Sequence, residues 1–340
     1  MLREALQKVA GGAALSEVEA ERALAEIMSG TVPPEATAAL LTALRVRGES
    51  PGEIIGFARA MREFAARVEA PEDATDIVGT GGDAKGTINV STTAAFVARG
   101  AGVTIAKHGN RAATSRSGSA DVLEALGANI ELAPDQVSEC IREAGIGFMF
   151  ARTHHPAMRY VAPVRAGLPF RTIFNLLGPL TNPAGARRLV VGVFSESFIL
   201  PMAEALRGLG VDRALVVFGT DGLDEITVTD RSLVAQVDKD GITEYEVSPE
   251  DFGLSRYRLG ELIGGDAKEN AGVVRSVLSG GEAGAKRDIV LMNAGAAVFA
   301  GGKAADLRDG VLKAREAVDS GAATDALEAF IATTGKLAAS

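Results

Sequence analysis

Apolar positions recur at helical spacing through the first seventy residues, and the period then changes. Ser16 and Glu19 have the spacing of a capping box, and Ala20, Ala23, Leu24 and Ile27 follow on one face. Ser50, Pro51 and Glu53 repeat the signal, with proline at the first helical position. Behind them Phe57, Met61, Phe64 and Val68 continue as a stripe at i, i+4, i+7 and i+11. No strand pattern interrupts, so residues 1–70 are expected to form a small α-helical domain. From Asp76 onward short β-branched runs (DIVG, VTIAK, LVVGVF, ALVVFG, LVAQVD) alternate with alanine-rich helical stretches and glycine-rich turns. That alternation predicts an α/β fold, with residues 71–340 forming a larger domain around a central sheet flanked by helices. HHPAMRYVAPVRAGLPFRTIFNLLGPL lacks strand alternation and reads as a return of the chain to the helical domain at about 155–188. The C-terminal part is helical again, and no fixed-period repeat or low-complexity tract occurs.

The turn after the first strand run, TDIVGTGGDAKGTINVST (75–92), is rich in glycine, hydroxyl and amide groups. Gly79, Gly81 and Ala84 formally satisfy the dinucleotide fingerprint, but that motif also needs an acid about twenty residues on, and none lies between Asp83 and Asp121. A Walker A loop fails as well, because AKGT lacks the Gly-Lys-Thr order. Two readings stay open, a solvated loop or an anion cradle. The helix start at NVSTTAAFVARG supports the cradle, since its first N–H groups and Asn89, Ser91 and Thr92 would point at one spot. SRSGSADVLEALG repeats the arrangement, with Ser117 or Ser119 expected as cap and Gly127 as terminator.

Charge sharpens this picture. The chain carries 35 basic and 44 acidic residues, a net charge of -9, which argues against a general nucleic-acid or anionic-membrane binder. Yet residues 84–120 contain no acid, and they hold Lys85, Arg99, Lys107, Arg111 and Arg116. A second acid-free window, Ala144 to Ser195, holds Arg152, Arg159, Arg165, Arg171, Arg187 and Arg188. Such stretches in an acidic protein keep negative charge away from an anion. Two helix N-termini and Lys107 could hold a polyphosphate. FGTDGLDEIT then sets Asp221, Asp224 and Glu225 at a strand end; alone this is a solvated turn, but beside a polyphosphate the adjacent carboxylates suit Mg²⁺.

The histidines, His108, His154 and His155, have no zinc-site spacing. Cys140 is the only cysteine, so no intrachain disulfide can form; a packing role and a reducing, cytoplasmic setting are expected. The N-terminus lacks a signal-peptide pattern, and the apolar run from Ile289 is too short and too broken by Asn and Gly to span a bilayer.

The blocks GTGGD, NVST, KHGNR, SGSADVLEALG, PVR, RTIFNLLGPLTNPA, GTDGLDEIT and LMNAGAAVFAGG, in this order along nearly the whole chain, resemble the anthranilate phosphoribosyltransferases. Those enzymes of tryptophan biosynthesis join anthranilate to phosphoribosyl pyrophosphate (PRPP). The resemblance implies a nucleoside phosphorylase/phosphoribosyltransferase-like fold with the active site in the cleft between two domains. It assigns Gly79, Gly82, Asp83, Thr87, Asn89, Val90, Ser91, Thr92, Lys107 and Ser119 to PRPP. Anthranilate falls to Gly79, His108, Asn110 and Arg165; Ser91, Asp224 and Glu225 would hold Mg²⁺, two ions per site. A cytoplasmic homodimer is implied, and a separate glutamine amidotransferase partner is left open. Ala84 and Ile88 stand where Gly and Phe are common, and RAATSRSGSAD varies a serine-rich stretch; these changes touch affinity rather than chemistry.

Mechanism follows from the implied substrates. Anthranilate's aniline-like amine is neutral at pH 7 and can attack without prior deprotonation, so the difficult step is expelling pyrophosphate from the ribose C1. No residue is assigned as acid or base. A pyrimidine nucleoside phosphorylase is the rival enzyme reading, and a non-catalytic nucleic-acid-binding relative is the rival of another class. The KHGN, SGSAD and DE pieces and the net charge of -9 count against the second.

Overall fold

Both expected capping boxes form, and they place the first helices. A computed structural model describes residues 1–83, 85–112 and 116–339, so Ala84 and part of the RAATSRSGSAD stretch lie outside the described residues. The chain opens with α1 (Leu2–Ala10), α2 (Glu17–Met28), α3 (Pro34–Arg47) and α4 (Pro51–Glu63). Ser16 and Glu19 exchange bonds of 3.3 and 2.8 Å at the start of α2, and Ser50 and Glu53 do the same at α4 with 3.3 and 2.9 Å. The buried Glu53 carboxylate also accepts the Leu15 N–H at 2.9 Å and pairs with Arg47, tying three segments together.

The stripe expected to run through Val68 stops early. α4 ends at Glu63 with Phe64 as its cap, and Val68 joins a different apolar cluster. The cause is the returning chain: the Ala66 N–H donates to His154 O at 2.9 Å and the Val68 N–H to Pro183 O at 3.2 Å. Those bonds take donors that a longer helix would need.

Next come β1 (Thr75–Gly79), α5 (Val90–Gly100), β2 (Ile105–Gly109), α6 (Ser119–Leu126), α7 (Pro134–Ala144) and β3 (Ile146–Phe150). Short turns of helix follow, α8 (Ala151–His154), α9 (Ala162–Ala166) and α10 (Phe174–Leu177), then β4 (Arg188–Gly192), α11 (Ile199–Gly208) and β5 (Arg213–Gly219). Strands β6 (Ser232–Asp238) and β7 (Gly241–Val247) precede α12 (Ala267–Leu278), α13 (Ala285–Ala300), α14 (Leu307–Asp319) and α15 (Ala322–Ala338).

The described residues include a seven-stranded sheet of order β3-β2-β1-β4-β5-β6-β7. It is parallel from β3 to β5 and antiparallel at β5–β6 and β6–β7. Alternation along the strands feeds two cores. Leu189, Val191, Ala214 and Val216 pack with α11 and the N-terminal helices, while Val190, Leu215 and Val217 pack with α5, α13 and α14 on the other face. Covering both faces is what an inner parallel sheet requires.

The segment 155–188 is helical in short pieces only, because Pro156, Pro163 and Pro179 interrupt it. Val161, Val164, Ile173, Phe174, Leu176 and Leu177 from this stretch share a core with Leu24, Leu40, Leu44 and Phe57. Phe174 meets Phe57 edge-on at 6.4 Å. The apolar run from Ile289 is α13, buried along nearly its whole length. No helix among the described residues is long and apolar enough to cross a membrane. Cys140 is buried, donates to Ile146 O at 3.3 Å, and burial pushes its thiol up to about 12, consistent with packing.

Candidate active site

The carboxyl ends of the parallel strands gather the charged residues, beside the point where strand order reverses between β1 and β4. Gly79 ends β1 and is paired in register with Gly192, which ends β4. The loop after β5 lays Asp224 across this glycine pair. A Cβ at Gly79 would overlap the Asp224 carboxylate, and one at Gly192 would overlap the Asp224 carbonyl. Beyond Gly79 the chain turns through Gly81 and Gly82, at φ 68° and 80°. The Gly81 N–H donates to Asp224 Oδ2 at 2.7 Å. Asp83 Oδ1 accepts the Lys85 N–H at 3.2 Å, and Thr87 bridges to Ile263.

Helix α5 begins with Val90 immediately past this turn. Its Ser91 N–H donates to Glu225 Oε1 at 3.2 Å, so the Glu225 carboxylate already faces the positive end of the helix. The Asn89 side chain does not cap α5; it reaches Ser117 O at 3.1 Å and accepts from Asn270 at 2.8 Å. The Thr92 hydroxyl donates to Ser119 Oγ at 3.0 Å, which joins the N-terminus of α5 to that of α6. Neither Ser117 nor Ser119 caps α6. Gly118 holds that position, and Asp121 Oδ2 accepts the Gly118 and Ala112 N–H groups at 2.8 and 3.0 Å. Gly127, at φ 101°, ends the helix as expected. Lys107, only 3% exposed, donates from Nζ to Ile77 O at 2.6 Å and lies 3.5 Å from Ser91 Oγ.

These groups perturb one another. Burial, then the Asp83 charge, pushes the Asp224 carboxyl up to about 6 against the pull of the Gly81 N–H. Burial and neighbouring Asp224 hold Glu225 well above the usual carboxylate range, opposed by Lys107. Burial lowers Lys107, and Asp76 and Glu225 oppose that. The carboxylates therefore carry more negative charge than their surroundings compensate, which suits a cation. Among the described residues no three His, Cys, Asp or Glu side chains converge as a metal cage. An ion here would rest on one or two carboxylates and take phosphate and water oxygens for the rest, as Mg²⁺ does. Asp221 is not free to join: it accepts from the Leu223 N–H at 3.1 Å, from Thr227 Oγ1 at 2.7 Å and from Thr229, and so shapes the loop.

His108 is 4% exposed, and its Nδ1 faces Gly178 O at 3.2 Å. A carbonyl only accepts, so Nδ1 carries the proton and Nε2, which has no hydrogen-bond partner in the protein, presents a lone pair. Burial, then His155, whose ring centroid lies 5.0 Å away, lowers His108 to about 3, so the ring is neutral at pH 7. Asn110 is exposed, with Oδ1 accepting the Arg111 N–H at 2.8 Å. Arg165 is half-buried over the Phe174 ring at 5.3 Å, and none of the ion pairs among the described residues uses it.

The acid-free windows are less uniform in space than in sequence. Arg111 pairs with Asp121 and Glu124, Arg116 with Glu269 and Arg187 with Asp212, all acids from outside the windows. Several residues of the site went unassigned in the sequence. Asp76, fully buried, accepts the His108 N–H at 3.1 Å and Asn182 Nδ2 at 2.8 Å. Asn293, on apolar α13, accepts the Ile226 N–H at 3.0 Å and donates to the Ile226 carbonyl at 2.9 Å, and so anchors the residue after Glu225. Asn270 holds Asn89, and Arg171 stacks 4.2 Å from the Phe194 ring while donating to Gly82 O. The visible signal for Asp76 and Asn293 was a polar residue set in an apolar run.

Comparison with known proteins agrees with this geometry. Residues 3–65 match the helical bundle domain of the glycosyl transferase family, and residues 71–324 match its a/b domain. The chain is 70% identical to an anthranilate phosphoribosyltransferase of Rubrobacter xylanophilus over 338 residues, 99% of each chain. It is similar to the crystal structure of anthranilate phosphoribosyltransferase from Thermus thermophilus, with a TM-score of 0.93, 51% identity, and 97% and 99% of the two chains covered. The Saccharomyces cerevisiae enzyme in complex with PRPP and Mg gives a TM-score of 0.90 at 30% identity, with 98% of each chain covered. With its helical bundle, its α/β sheet and its carboxylates seated on paired glycines, the chain belongs to the anthranilate phosphoribosyltransferase family of glycosyltransferases.

Proposed function

We propose that this chain transfers the 5-phosphoribosyl group of PRPP to the amine of anthranilate, giving N-(5-phosphoribosyl)anthranilate and pyrophosphate, at the carboxyl end of its sheet. The observation that carries the reading is Asp224 lying across Gly79 and Gly192, next to the α5 N-terminus and Lys107. Gly79, Gly82, Asp83, Thr87, Asn89, Val90, Ser91, Thr92, Lys107 and Ser119 form the PRPP side. Asp224 and Glu225, with Ser91, would hold Mg²⁺, two ions per site, which would supply charge neutralisation for the leaving pyrophosphate. In the reaction the amine nitrogen bonds to C1 as the C1–O bond to pyrophosphate breaks, and the nitrogen then releases its proton to solvent. Lys107 and the first N–H groups of α5 stabilise the departing charge. His108 is neutral and a poor base, so it takes no proton from the amine, and its buried ring stands on the anthranilate side as a wall of the subsite.

We divide the chain into a helical domain, 1–70 with the return at 155–188, and an α/β domain, 71–340, and expect a cytoplasmic homodimer. The deciding assay supplies anthranilate, PRPP and Mg²⁺ and follows loss of anthranilate fluorescence. Turnover that requires PRPP is expected, with no phosphorolysis of thymidine or uridine. Nucleoside cleavage without anthranilate turnover would instead favour the phosphorylase reading. Light scattering of the same preparation should give about twice the 35.0 kDa of one chain, and a monomer mass would remove the dimer.

Arg165 supplies a sharper test. Its guanidinium is unpaired among the described ion pairs and steadied by Phe174, so it can take the anthranilate carboxylate through two parallel bonds. Arg165→Ala should raise the KM for anthranilate roughly ten- to hundredfold, the loss of a charge-assisted bond of ~1.5–3 kcal/mol, and leave that for PRPP nearly unchanged. Arg165→Lys should recover only part, because an ammonium cannot reproduce the fork. Equal rises in both KM values would remove Arg165 from the anthranilate side.

A further inference from the structure

The centre of the sheet is missing a rung. β1 pairs with β4 continuously from Thr75↔Arg188 to Gly79↔Gly192, but with β2 only at Thr75↔Ile105. The Thr75 N–H donates to Thr104 O at 2.9 Å. A parallel ladder continued two residues on would join the Ile77 N–H to Ala106 O and the His108 N–H to Ile77 O. Side chains occupy these groups instead. Ala106 O accepts Asn182 Nδ2 at 2.8 Å, the His108 N–H donates to Asp76 Oδ1 at 3.1 Å, and Ile77 O accepts Lys107 Nζ at 2.6 Å. Three of the four groups of that rung are thus taken by side chains. Asn182 closes the set by donating its other amide hydrogen to Asp76 Oδ2 at 2.8 Å and accepting the Ala184 N–H at 2.8 Å.

Asp76, Asn182 and Lys107 are 0%, 2% and 3% exposed. Burying such groups gives no evident gain in stability over an ordinary backbone rung, since a buried charge must be desolvated before its partners compensate it. What they change is spacing. A backbone rung would hold β1 and β2 at the normal interstrand distance, about 4.8 Å. With side chains inserted there instead, their length and not a backbone rung sets the separation of the two carboxyl ends. The glycine turn follows one of these ends, and Lys107, His108 and Asn110 sit on the other.

We propose that Asp76 and Asn182 are positioning residues that replace a ladder rung with side chains, and so set the distance between the PRPP turn after β1 and the acceptor groups at the end of β2. This inference rests on the transfer reaction proposed above. Each subsite stays on its own strand end, so disturbing the clip should misalign the reacting atoms without dismantling either subsite. A shift of about 1 Å between reactants can cost up to a hundredfold in rate.

The test is a reciprocal exchange. In Asp76→Asn one of the two accepting oxygens becomes an NH2, so either the His108 N–H or the Asn182 amide is left facing a donor; in the double variant Asp76→Asn with Asn182→Asp, the amide at 76 can accept the His108 N–H and donate to the carboxylate at 182. For Asp76→Asn, kcat should fall about tenfold or more, with both KM values within about threefold of the unaltered chain. The double variant should regain kcat to within about threefold to tenfold, recovery being partial because Ala106 O loses its donor. A lowered Tm with unchanged kcat would make the clip merely structural and overturn the inference. So would a change confined to KM, or a double variant no better than the single. Should Asp76→Asn fail to fold, the double variant decides: folded and active supports the inference, inactive overturns it. An unaltered chain that does not consume anthranilate overturns the transfer reading and this inference with it, whereas an active one with unaffected variants overturns this inference alone.

Discussion

Asp224→Asn is expected to lower kcat by about a hundredfold or more and to raise the Mg²⁺ concentration that saturates the reaction, and Glu225→Gln to act in the same direction. A hundredfold corresponds to about 2.7 kcal/mol, within the several kcal/mol that a cation contributes to a departing oxyanion. Both substitutions keep side-chain volume. The amide oxygen left by Asp224→Asn can still accept the Gly81 N–H, and the one left by Glu225→Gln the Ser91 N–H, so the loop and the start of α5 should keep their places. What each variant loses is charge at a point where Asp83, Asp224 and Glu225 now repel one another. Thermal unfolding near that of the unaltered chain would confirm that the fold is intact. A Mg²⁺ response in both variants equal to that of the unaltered chain would sink the metal assignment.

The same carboxylates give a pH signature that needs no turnover. Asp224 titrates at about 6 in the folded chain against an ordinary 3.8, raised by burial and then by Asp83. A raised carboxylate means that the folded state binds the proton more tightly than the unfolded one. Its contribution to stability is thus full below about pH 4 and is lost as pH rises through 6. Glu225 shifts in the same direction. Mg²⁺ competes with those protons, so its stabilising effect must run the other way. The rise in Tm on adding Mg²⁺ should be large at pH 8 and small at pH 5, and reduced at both in Asp224→Asn. Equal rises at pH 5 and pH 8 would separate the cation from these carboxylates.

Local pattern carried much of the fold into the sequence, and its failures have physical causes. Five strand runs were legible because they are β-branched and set off by turn residues. β3, IGFMF, was not: it is buried at every position, so it shows no alternation, and it follows directly on α7. β7, GITEYEV, is an edge strand with only Val247 buried, and its pairing partner β6 defines it better than its own residues do. At the site, Gly79, Lys107, Asp224 and Glu225 could be picked out because their chemistry is local and dense. Asn182, Asn270 and Asn293 could not, because each acts on a residue more than sixty positions away. Linear windows also mislead in charge. Arg111 and Arg187 sit in acid-free sequence, yet the fold brings Glu124 and Asp212 to them.

Gly192→Ala should cost the most of any single methyl group in this chain. Gly192 has no left-handed backbone angle, so its requirement is for space and not for conformation. Its added Cβ would fall inside the Asp224 carbonyl and lie 3.3 Å from the Asp224 Cα, against backbone that cannot rotate aside. The loop that carries Asp224 and Glu225 would have to lift off the sheet, against the hold of Asn293 on Ile226. That lift breaks the bond from the Gly81 N–H and removes both carboxylates from the α5 N-terminus. We expect kcat/KM to fall by about a hundredfold or more, as on losing the cation outright, together with ~1–3 kcal/mol of stability for overpacking. Gly79→Ala meets the Asp224 carboxylate rather than its backbone, so the side chain can swing and the loss of stability should be smaller. Gly272→Ala is the control: it lies within α12 with nothing within 4 Å of the new methyl, and should leave activity unchanged while gaining up to ~1 kcal/mol from helix propensity. If Gly192→Ala keeps the activity of Gly272→Ala, Asp224 does not depend on the glycine seat, and the carboxylates are held in place by the loop's own contacts instead.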